Sequence, residues 1–312
     1  MAAILGIHHM TAICGPGQEN LDFYSGVLGL RLVKLTVNFD DPAAHHLYYG
    51  DSTGAPGTIL TFFPYPNGYP GRPGRGQVTV TSLSIPRDAV QYWVDRFKNH
   101  EIEFDKPQSR EGGQTIGFRA PDGLPLELVA TNEHEPCARW EDSPVPFAKA
   151  VGAIRSVTLV VGALEPTERV LIELLGMQKV AEKDYRHRYG LGDDGPYRVL
   201  DVVVDPTGPT GRSGHGSVHH VAFRTPNEET QENLRQRLIE GGLHVSDVRD
   251  RTYFKSVYFR EPGGVLFEIA TDTPGFVIDE KEETLGTELK LPAQFESHRR
   301  QIEKALPPLK RK

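Results

Sequence analysis

Hydrophobic and polar positions alternate in short stretches over the first sixty residues, and one helical stretch interrupts them. The segment GIHHMTAI (6–13) has the two-residue period of a strand, and NLDFYSGVLGL (20–30) has apolar residues three and four positions apart, as in a helix. Three extended segments separated by Asp, Pro and Gly follow: RLVKLTVNF (31–39), AHHLYYG (44–50) and GTILTFF (57–63). The pattern predicts one strand, one helix and three strands.

The same order of elements returns three times. The later copies begin with the strand-like segments VTVTSLSIP (78–86), AIRSVTLVV (153–161) and SVHHVAF (217–223), and a helical pattern follows each of them. In the third copy, one further strand, PYRVLDVVV (196–204), stands out. Four βαβββ units, called modules 1 to 4 below, therefore fill residues 4–273.

The four modules group into two pairs along the chain. Residues 4–131 contain modules 1 and 2, and residues 153–273 contain modules 3 and 4. The segment 132–152 between the pairs is rich in proline and has no hydrophobic period, so it is predicted to be a linker. A charged tail, 274–312, follows, and QFESHRRQIEKAL (294–306) within it has a helical pattern.

Composition and charge limit the classes of function. The chain has 312 residues, a formal net charge of −7 with both signs mixed throughout, and two cysteines. The sequence has no basic stripe that would bind nucleic acid, and no apolar run reaches the roughly 18 residues that a membrane span needs. No secretory signal pattern is found, so a cytoplasmic location is expected. Two cysteines are too few for a thiolate metal site, which leaves imidazole and carboxylate as metal ligands.

The repeat and two local patterns resemble the vicinal oxygen chelate family. The patterns are FYSGVLGL (23–30) in module 1 and PGGVLFEI (262–269) in module 4. The resemblance implies an α+β fold in which four βαβββ modules form two barrel domains of curved sheet. It also implies that a metal is held inside a barrel by residues of the first and last strands of the modules.

Histidine pairs occur in the first strands of modules 1 and 4. When the four first strands are aligned, modules 2 and 3 have Ser or Thr where IHHMTAI and VHHVAFR have His-His. The last strands offer Phe62, Glu127 and Glu268 in modules 1, 2 and 4. Since Phe62 cannot bind a metal, the resemblance predicts a metal barrel that combines modules 1 and 4, with one His from each and Glu268. Two histidines and one carboxylate suit Fe(II) with open positions, and they accept Mn(II) as well.

Strand alternation selects one histidine of each pair, because neighbouring side chains face opposite sides of a sheet. His9 and His220 share their faces with small residues, whereas the opposite faces carry large apolar ones. His9 and His220 are therefore the predicted ligands. His8 and His219 are predicted to lie beside them, with a role in general acid or base catalysis. A slip of one residue in register would exchange the members of each pair.

Longer motifs narrow the resemblance to ring-cleaving dioxygenases of the hydroquinone type. These motifs are ILGIHHMTAI, LRLVKLTVNFDDP, HLYYGD, GTILTFFPYP and EPGGVLFEIATD. The branch implies that the three predicted ligands bind Fe(II). It also implies that Tyr258 donates a hydrogen bond to the substrate and that Arg251 steadies negative charge in the pocket. Thr11 and His8 match further active-site positions of that branch.

Some residues are expected near the substrate without a fixed role. His45 and His46 lie on a middle strand and are expected either to contact substrate or to be structural. Phe62 is expected at the substrate, in the place of a fourth ligand. Glu127 is predicted to be a hydrogen-bonded remnant, because its companion position in module 3 is Ser156.

The reaction that this resemblance implies is the opening of a hydroquinone or catechol ring with dioxygen. A small aromatic diol and O₂ are therefore the expected partners, and assembly into a homo-oligomer stays open. One alternative is a glyoxalase-type lyase or isomerase with Zn or Ni and four protein ligands, against which Phe62 argues. Another is a metal-dependent resistance or binding protein, which usually has two modules per chain.

Overall fold

The computed structural model of the chain describes residues 3–110, 113–132, 137–191 and 199–310. Within these residues the fold is α+β, with two eight-stranded mixed sheets and short helices packed on them. The strands of modules 1 and 2 are β1 (Gly6–Cys14), β2 (Arg31–Asn38), β3 (Asp41–Gly50), β4 (Ile59–Pro64), β5 (Gln77–Pro86), β6 (Gln108–Arg110), β7 (Gly113–Arg119) and β8 (Pro125–Thr131). The strands of modules 3 and 4 are β9 (Ile154–Val161), β10 (Gln178–Lys183), β11 (Arg186–Gly190), β12 (Val199–Val204), β13 (Ser217–Thr225), β14 (Arg249–Asp250), β15 (Phe254–Arg260) and β16 (Leu266–Pro274).

Each sheet combines two modules that are not neighbours in the predicted pairs. Sheet 1 has the order β14-β15-β16-β13-β1-β4-β3-β2 and contains modules 1 and 4. Sheet 2 has the order β10-β11-β12-β9-β5-β8-β7-β6 and contains modules 2 and 3. The boundaries 4–131 and 153–273, as limits of independent domains, stay a prediction.

The first strands of two modules meet in the middle of each sheet. In sheet 1, β1 and β13 pair antiparallel, and each runs parallel to the last strand of its own module, β4 and β16 respectively. In sheet 2, β5 and β9 form the same central pair between β8 and β12. First and last strands therefore lie together at the centre of each sheet, where side chains of different modules can meet.

Helices cover one face of the sheets. They are α1 (Gly17–Leu21) with a π-helical turn (Asp22–Val27), α2 (Val90–Asn99) after a 3-10 turn (Arg87–Ala89), α3 (Glu165–Arg169) with a π-helical turn (Val170–Leu174), and α4 (Glu228–Glu240). Short 3-10 turns also occur at Phe147–Lys149, Phe276–Ile278 and Glu282–Thr284. Trp93 and Phe97 of α2 are fully buried, and Tyr24 packs its ring 4.3 Å from that of Phe62 on β4. Because strand side chains alternate, this packing leaves the opposite face of each sheet for the cavities.

The sequence pattern of module 3 predicts neither β10 nor β11. The segment QKVAEK of β10 is exposed along its whole length, so it has no hydrophobic alternation to read. It is a strand because it pairs with β11 at the edge of sheet 2. Of the predicted strand 196–204, residues 196–198 lie outside the described residues, and β12 begins at Val199.

The tail folds back on module 1. The predicted helix is confirmed as α5 (Arg299–Ala305) after a 3-10 stretch (Ala293–His298). Ile302 joins an apolar cluster with Val37 of β2, and the buried Lys34 is ion-paired with Asp279 and Glu280. In the described parts of the chain, no helix is both long enough and apolar enough to cross a membrane.

Candidate metal centre

Three buried side chains of sheet 1 meet at its centre. His9 on β1 and His220 on β13 have their Nε2 atoms 3.4 Å apart. Glu268 on β16 brings Oε2 to 3.3 Å from His9 Nε2 and to 2.9 Å from His220 Nε2. None of the three residues is more than 5% exposed. The structure therefore brings together the three residues that the sequence predicts as metal ligands.

The spacing of these atoms fits one divalent ion. Donor atoms about 2.1 Å from a shared ion and at right angles to one another lie about 3 Å apart. The observed separations of 2.9 to 3.4 Å match that value. Two imidazoles and one carboxylate on one side of an ion leave its remaining positions open, an arrangement that suits Fe(II).

The protonation states of the cluster also favour binding of a cation. Burial alone would raise the pKa of the Glu268 carboxyl, but the imidazoles of His9 and His220 lower this pKa well below its usual range. Burial lowers the pKa of His220, and the contact with Glu268 offsets only part of that shift. The cluster thus contains a carboxylate and a neutral imidazole, the protonation states that bind metals.

The second histidine of each pair contacts the predicted ligand through Nδ1. His8 Nδ1 lies 2.9 Å from His9 Nδ1, and His219 Nδ1 lies 2.7 Å from His220 Nδ1. When Nε2 of an imidazole faces a cation, Nδ1 carries the proton and can donate it to a neighbouring acceptor. Each pair can therefore fix the tautomer and the orientation of one ligand ring.

The two neighbours differ in their access to the cavity beside the cluster. His219 is exposed and lines that cavity. His8 is buried, its ring centroid lies 5.0 Å from that of Phe254, and burial holds its pKa well below the usual value. His8 is not among the residues that line the cavity, and its expected role in general acid or base catalysis stays a prediction. Its contact with His9 makes it a positioning residue.

Strand register corrects the position predicted for Phe62. Glu268 pairs with Ala222 on the first strand of module 4. Thr11, at the same place on the first strand of module 1, pairs with Thr61. Thr61 is therefore the equivalent of Glu268, whereas Phe62 points to the opposite face and packs under the helix of module 1. Phe62 is not part of the cavity lining.

The same register relates modules 2 and 3 to this site. Their equivalents of Glu268 are Glu127 and Asp201. Their equivalents of the predicted histidine ligands are Val80 and Ser156. Alignment of the first strands by sequence set Ser82 of module 2 against His9. That alignment is shifted by two residues along β5, where Val80 is the equivalent residue. Glu127 accepts hydrogen bonds from neighbouring side chains in sheet 2.

A cavity of about 260 Å³ opens onto the three-residue cluster. Aromatic side chains form much of its wall, among them Tyr48, Phe63, Tyr65 and Phe254. A cavity of about 150 Å³ is large enough to hold benzene in a protein interior. This cavity, called the metal-side cavity below, therefore has room for one substituted aromatic ring.

Arg251 and Tyr258 both line the metal-side cavity. Arg251 Nε donates to Tyr258 Oη over 3.2 Å, and its Nη2 lies 3.3 Å from Asp40 Oδ2. Burial would lower the pKa of Arg251, but Tyr258 and Asp40 outweigh it and raise this pKa. Burial and the charge of Glu268 raise the pKa of Tyr258, so its hydroxyl keeps the proton at neutral pH. The cavity thus combines a permanent positive charge with a neutral hydroxyl.

One histidine of the pair on β3 reaches the metal-side cavity. His46 lines it, and its Nε2 lies 2.8 Å from Thr61 Oγ1, which lies 2.8 Å from Thr11 Oγ1. His45 faces the other side, where its Nε2 lies 2.9 Å from the Pro307 carbonyl oxygen. Adjacent strand residues face opposite sides, and neither His45 nor Thr11 is among the residues that line the cavity.

Sequence reasoning missed two residues that shape the site. Ser256 is buried and donates through Oγ to Glu268 Oε1 over 2.5 Å, which leaves Oε2 for the histidines. Strand alternation could have found it, because Ser256 lies two residues before Tyr258 on the same face. Asp40 lies between β2 and β3 of module 1 and pairs with Arg251 of module 4, a contact that no local pattern indicates.

Comparisons with known proteins agree with this architecture. Residues 6–128 and 153–269 match the model of the Glyoxalase/Bleomycin resistance protein/Dioxygenase superfamily. A Bacillus subtilis (strain 168) protein named "Putative ring-cleaving dioxygenase MhqO" is 45% identical over 305 residues, which cover 97% of this chain and 96% of that protein. The "Chlorohydroquinone/hydroquinone 1,2-dioxygenase" of Sphingobium indicum is 33% identical, over 93% of this chain and 92% of that protein.

A solved structure is similar over nearly the whole chain. It is the crystal structure of a "putative dioxygenase" from Bacillus subtilis subsp. subtilis str. 168, with a TM-score of 0.91 and 42% sequence identity. The similarity covers 99% of both chains. The arrangement of the four modules in two sheets is therefore shared with a protein of known structure.

Proposed function

Because the chain belongs to the glyoxalase/bleomycin resistance protein/dioxygenase superfamily, we propose that it is an Fe(II)-dependent dioxygenase that opens the ring of a hydroquinone- or catechol-type diol with O₂. The observation that carries this proposal is the cluster of His9, His220 and Glu268 at the floor of a ring-sized, aromatic-walled cavity. The names of the relatives, which describe ring-cleaving dioxygenases, support the reaction class.

His9, His220 and Glu268 are proposed to hold the ion, with Ser256 and the two neighbouring histidines orienting them. A bound Fe(II) supplies acidification of a phenolic hydroxyl and electron transfer toward dioxygen. Mn(II) is compatible with the same three donors. In the overall reaction one ring carbon–carbon bond breaks and both oxygen atoms of O₂ enter the product.

The cavity residues have roles that follow from their chemistry. Phe63 and Phe254 exclude water and present flat apolar surface to a ring. Arg251 supplies fixed positive charge for the negative charge that develops on the substrate oxygens, and the protonated Tyr258 hydroxyl donates a hydrogen bond. His219 lines the cavity, and burial together with the neighbouring His220 lowers its pKa to about 3, so its ring is neutral. With Nδ1 accepting from His220, its Nε2–H can donate a hydrogen bond to a substrate oxygen.

The register of β4 argues against a glyoxalase-type lyase. Such an enzyme would need a fourth protein ligand at the position of Thr61. The Thr61 hydroxyl instead contacts Thr11 and His46. Three donors leave more open positions on an ion than four, and a reaction that uses both a diol and O₂ needs those positions.

Oxygen consumption by iron-loaded protein tests the proposal. The protein is purified without oxygen, loaded with Fe(II), and mixed with hydroquinone, methylhydroquinone or catechol while O₂ and the aromatic absorbance are followed. We expect about one iron per chain and one O₂ consumed per diol, in line with a site for a single ion. Zinc-loaded protein is the matched control, because zinc would fill the same site but has no redox chemistry.

Tightly bound zinc or nickel with no oxygen uptake after iron loading would contradict the dioxygenase. Oxygen uptake that persists in a Glu268→Ala variant would contradict the assigned site, because the reaction would then take place elsewhere or in free solution.

A further inference from the structure

Sheet 2 contains a second cavity that shares no lining residue with the metal-side cavity. Its volume is about 580 Å³, more than twice that of the metal-side cavity at about 260 Å³. Glu127 and Asp201, the equivalents of Glu268, lie on its wall. We call it the arginine cavity, because four guanidiniums line it: Arg110, Arg155, Arg186 and Arg188.

The arginine cavity is not a second version of the metal cluster. The positions of the predicted histidine ligands are Val80 and Ser156 here, so no imidazole accompanies the carboxylates. Asp201 accepts hydrogen bonds from Arg188 Nε at 2.8 Å and Nη2 at 3.0 Å, and from Arg186 Nη1 at 2.9 Å. The Asp201 carboxylate, which a metal would need as a ligand, is therefore already hydrogen-bonded to two arginines.

Glu127 is occupied in the same way. Arg110 Nη1 donates to its Oε1 over 2.7 Å, and Ser82 Oγ donates to its Oε2 over 2.8 Å. Both carboxylates of the sheet centre are thus neutralised by the protein itself. Neither of these two carboxylates is therefore free to bind a metal.

Positive charge is in excess inside the arginine cavity. Five cationic side chains line it, the four guanidiniums and Lys183, against four carboxylates, and Arg155 is only 7% exposed. The side chains of Arg110 and Arg186 are 48% and 40% exposed. Within the described part of the chain, their hydrogen bonds all leave from Nη1. A guanidinium has five N–H donors, so each of these two arginines retains donors for an anion.

The rest of the wall is largely polar, with four hydroxyl side chains among its residues, and a few side chains supply apolar surface. Val129 and Val203 line the arginine cavity, and Tyr185 lies at it with 74% of its surface exposed. An exposed aromatic ring offers a stacking surface to a flat molecule, and arginines beside it offer paired donors to a carboxylate.

We propose that the arginine cavity binds a small aromatic carboxylate. The carboxylate accepts hydrogen bonds from the free donors of Arg110 and Arg186, and the ring lies between Tyr185 and the valine side of the wall. Paired hydrogen bonds from a guanidinium to a carboxylate provide both charge and geometry. The site is separate from the metal-side cavity, so this proposal is independent of the reaction proposed above.

Calorimetric titration of benzoate into the full-length, iron-loaded protein tests the proposal. We expect one benzoate per chain, and a dissociation constant that rises at least about tenfold in Arg110→Met and in Arg186→Met, since a charge-assisted hydrogen bond is lost. Both replaced side chains are partly exposed, and Arg188 still holds Asp201 in the second variant. Arg300→Met, on the exposed face of α5, removes the same charge elsewhere and should leave binding unchanged.

Two further titrations locate the site and define the ligand. Glu268→Ala should bind benzoate like the wild type, which separates the arginine cavity from the metal-side cavity. Inorganic phosphate should bind more weakly than benzoate, because it has no ring for Tyr185. The proposal is overturned by no benzoate binding up to about 10 mM, by unchanged binding in both arginine variants, by loss of binding in Glu268→Ala, or by phosphate binding as tight as that of benzoate.

Discussion

Thr61 occupies in module 1 the strand position that Glu268 occupies in module 4. The two modules are otherwise related by the antiparallel pairing of β1 with β13, which places His9 and His220 as equivalents. Among the positions that correspond to the three-residue cluster, the pseudo-symmetry of sheet 1 is thus broken at one, where module 1 has a hydroxyl and module 4 a carboxylate. A carboxylate at position 61 would give a symmetric set of four candidate metal ligands. With Thr61 there, sheet 1 offers three, and one side of a bound ion would stay open.

Loss of any one of the three donors should remove the metal. In His9→Ala, His220→Ala and Glu268→Ala we expect iron content near zero after desalting, because two remaining donors hold a divalent ion weakly. Glu127→Ala is the matched control, since Glu127 is the equivalent carboxylate in sheet 2. Elemental analysis measures the result. Full iron in Glu268→Ala together with loss in Glu127→Ala would contradict the assignment.

Ser256→Ala should weaken metal binding without abolishing it. The Ser256 hydroxyl holds Glu268 Oε1, and partners of this kind typically contribute about 10- to 100-fold to metal affinity. Ser256→Thr retains a hydroxyl and should restore most of the affinity. Competition with a fluorescent chelator for Mn(II) measures both constants. Equal affinity in Ser256→Ala and the wild type would show that Glu268 needs no support from this hydrogen bond.

The repeat made the cluster of three residues predictable, because it showed which module supplies imidazole and which supplies a carboxylate. The cavity wall was harder to predict. In GTILTFFPYP both faces of β4 are apolar, so alternation cannot fix which residue points inward, and Phe62 was chosen in place of Thr61. The structure resolves this by packing Phe62 against Tyr24.

Contacts between modules outside the histidine and carboxylate cluster have no local signal in the sequence. Asp40 and Arg251 are more than two hundred residues apart, and only the pairing of β1 with β13 brings their modules together. The strand β10 was missed for a different reason, since its exposed and polar residues have no hydrophobic period. Whether such a segment forms a strand depends on its pairing with a neighbouring strand in the folded protein.

Phe62 and Phe63 should respond differently to truncation, because they face opposite sides of β4. Phe62 is fully buried under the helix of module 1, so Phe62→Ala should lower the free energy of unfolding by about 3–5 kcal/mol. Phe63 lines the metal-side cavity, so Phe63→Ala should raise KM for the diol and leave iron content unchanged. Urea unfolding and oxygen-uptake kinetics measure the two effects. The reverse assignment of effects would contradict the register of β4.

Tyr258→Phe should lower kcat/KM for the diol by about 10- to 100-fold, the cost of a hydrogen bond of about 1.5–3 kcal/mol to a charged group. The ring stays in place against His220, so iron content should be unchanged. Tyr189→Phe removes a tyrosine hydroxyl in sheet 2, where it binds Glu168, and is the control that should retain activity. Wild-type kcat/KM in Tyr258→Phe would mean that the Tyr258 hydroxyl does not contact the reacting groups.

His46 should make the metal-free protein sensitive to acid. Burial, followed by the nearby His9 and His220, holds the pKa of His46 well below its usual value. His46 is therefore neutral in the folded protein, whereas the unfolded chain binds a proton there below about pH 6.5. The unfolded state then binds more protons, so the stability is complete above that pH and is lost as the pH falls. From about pH 7.5 to 5.5, the free energy of unfolding should fall less in His46→Asn than in the wild type, by on the order of 1 kcal/mol, as measured with urea. His298→Asn, on the exposed tail, should follow the wild type, and equal pH dependence in all three proteins would refute the effect.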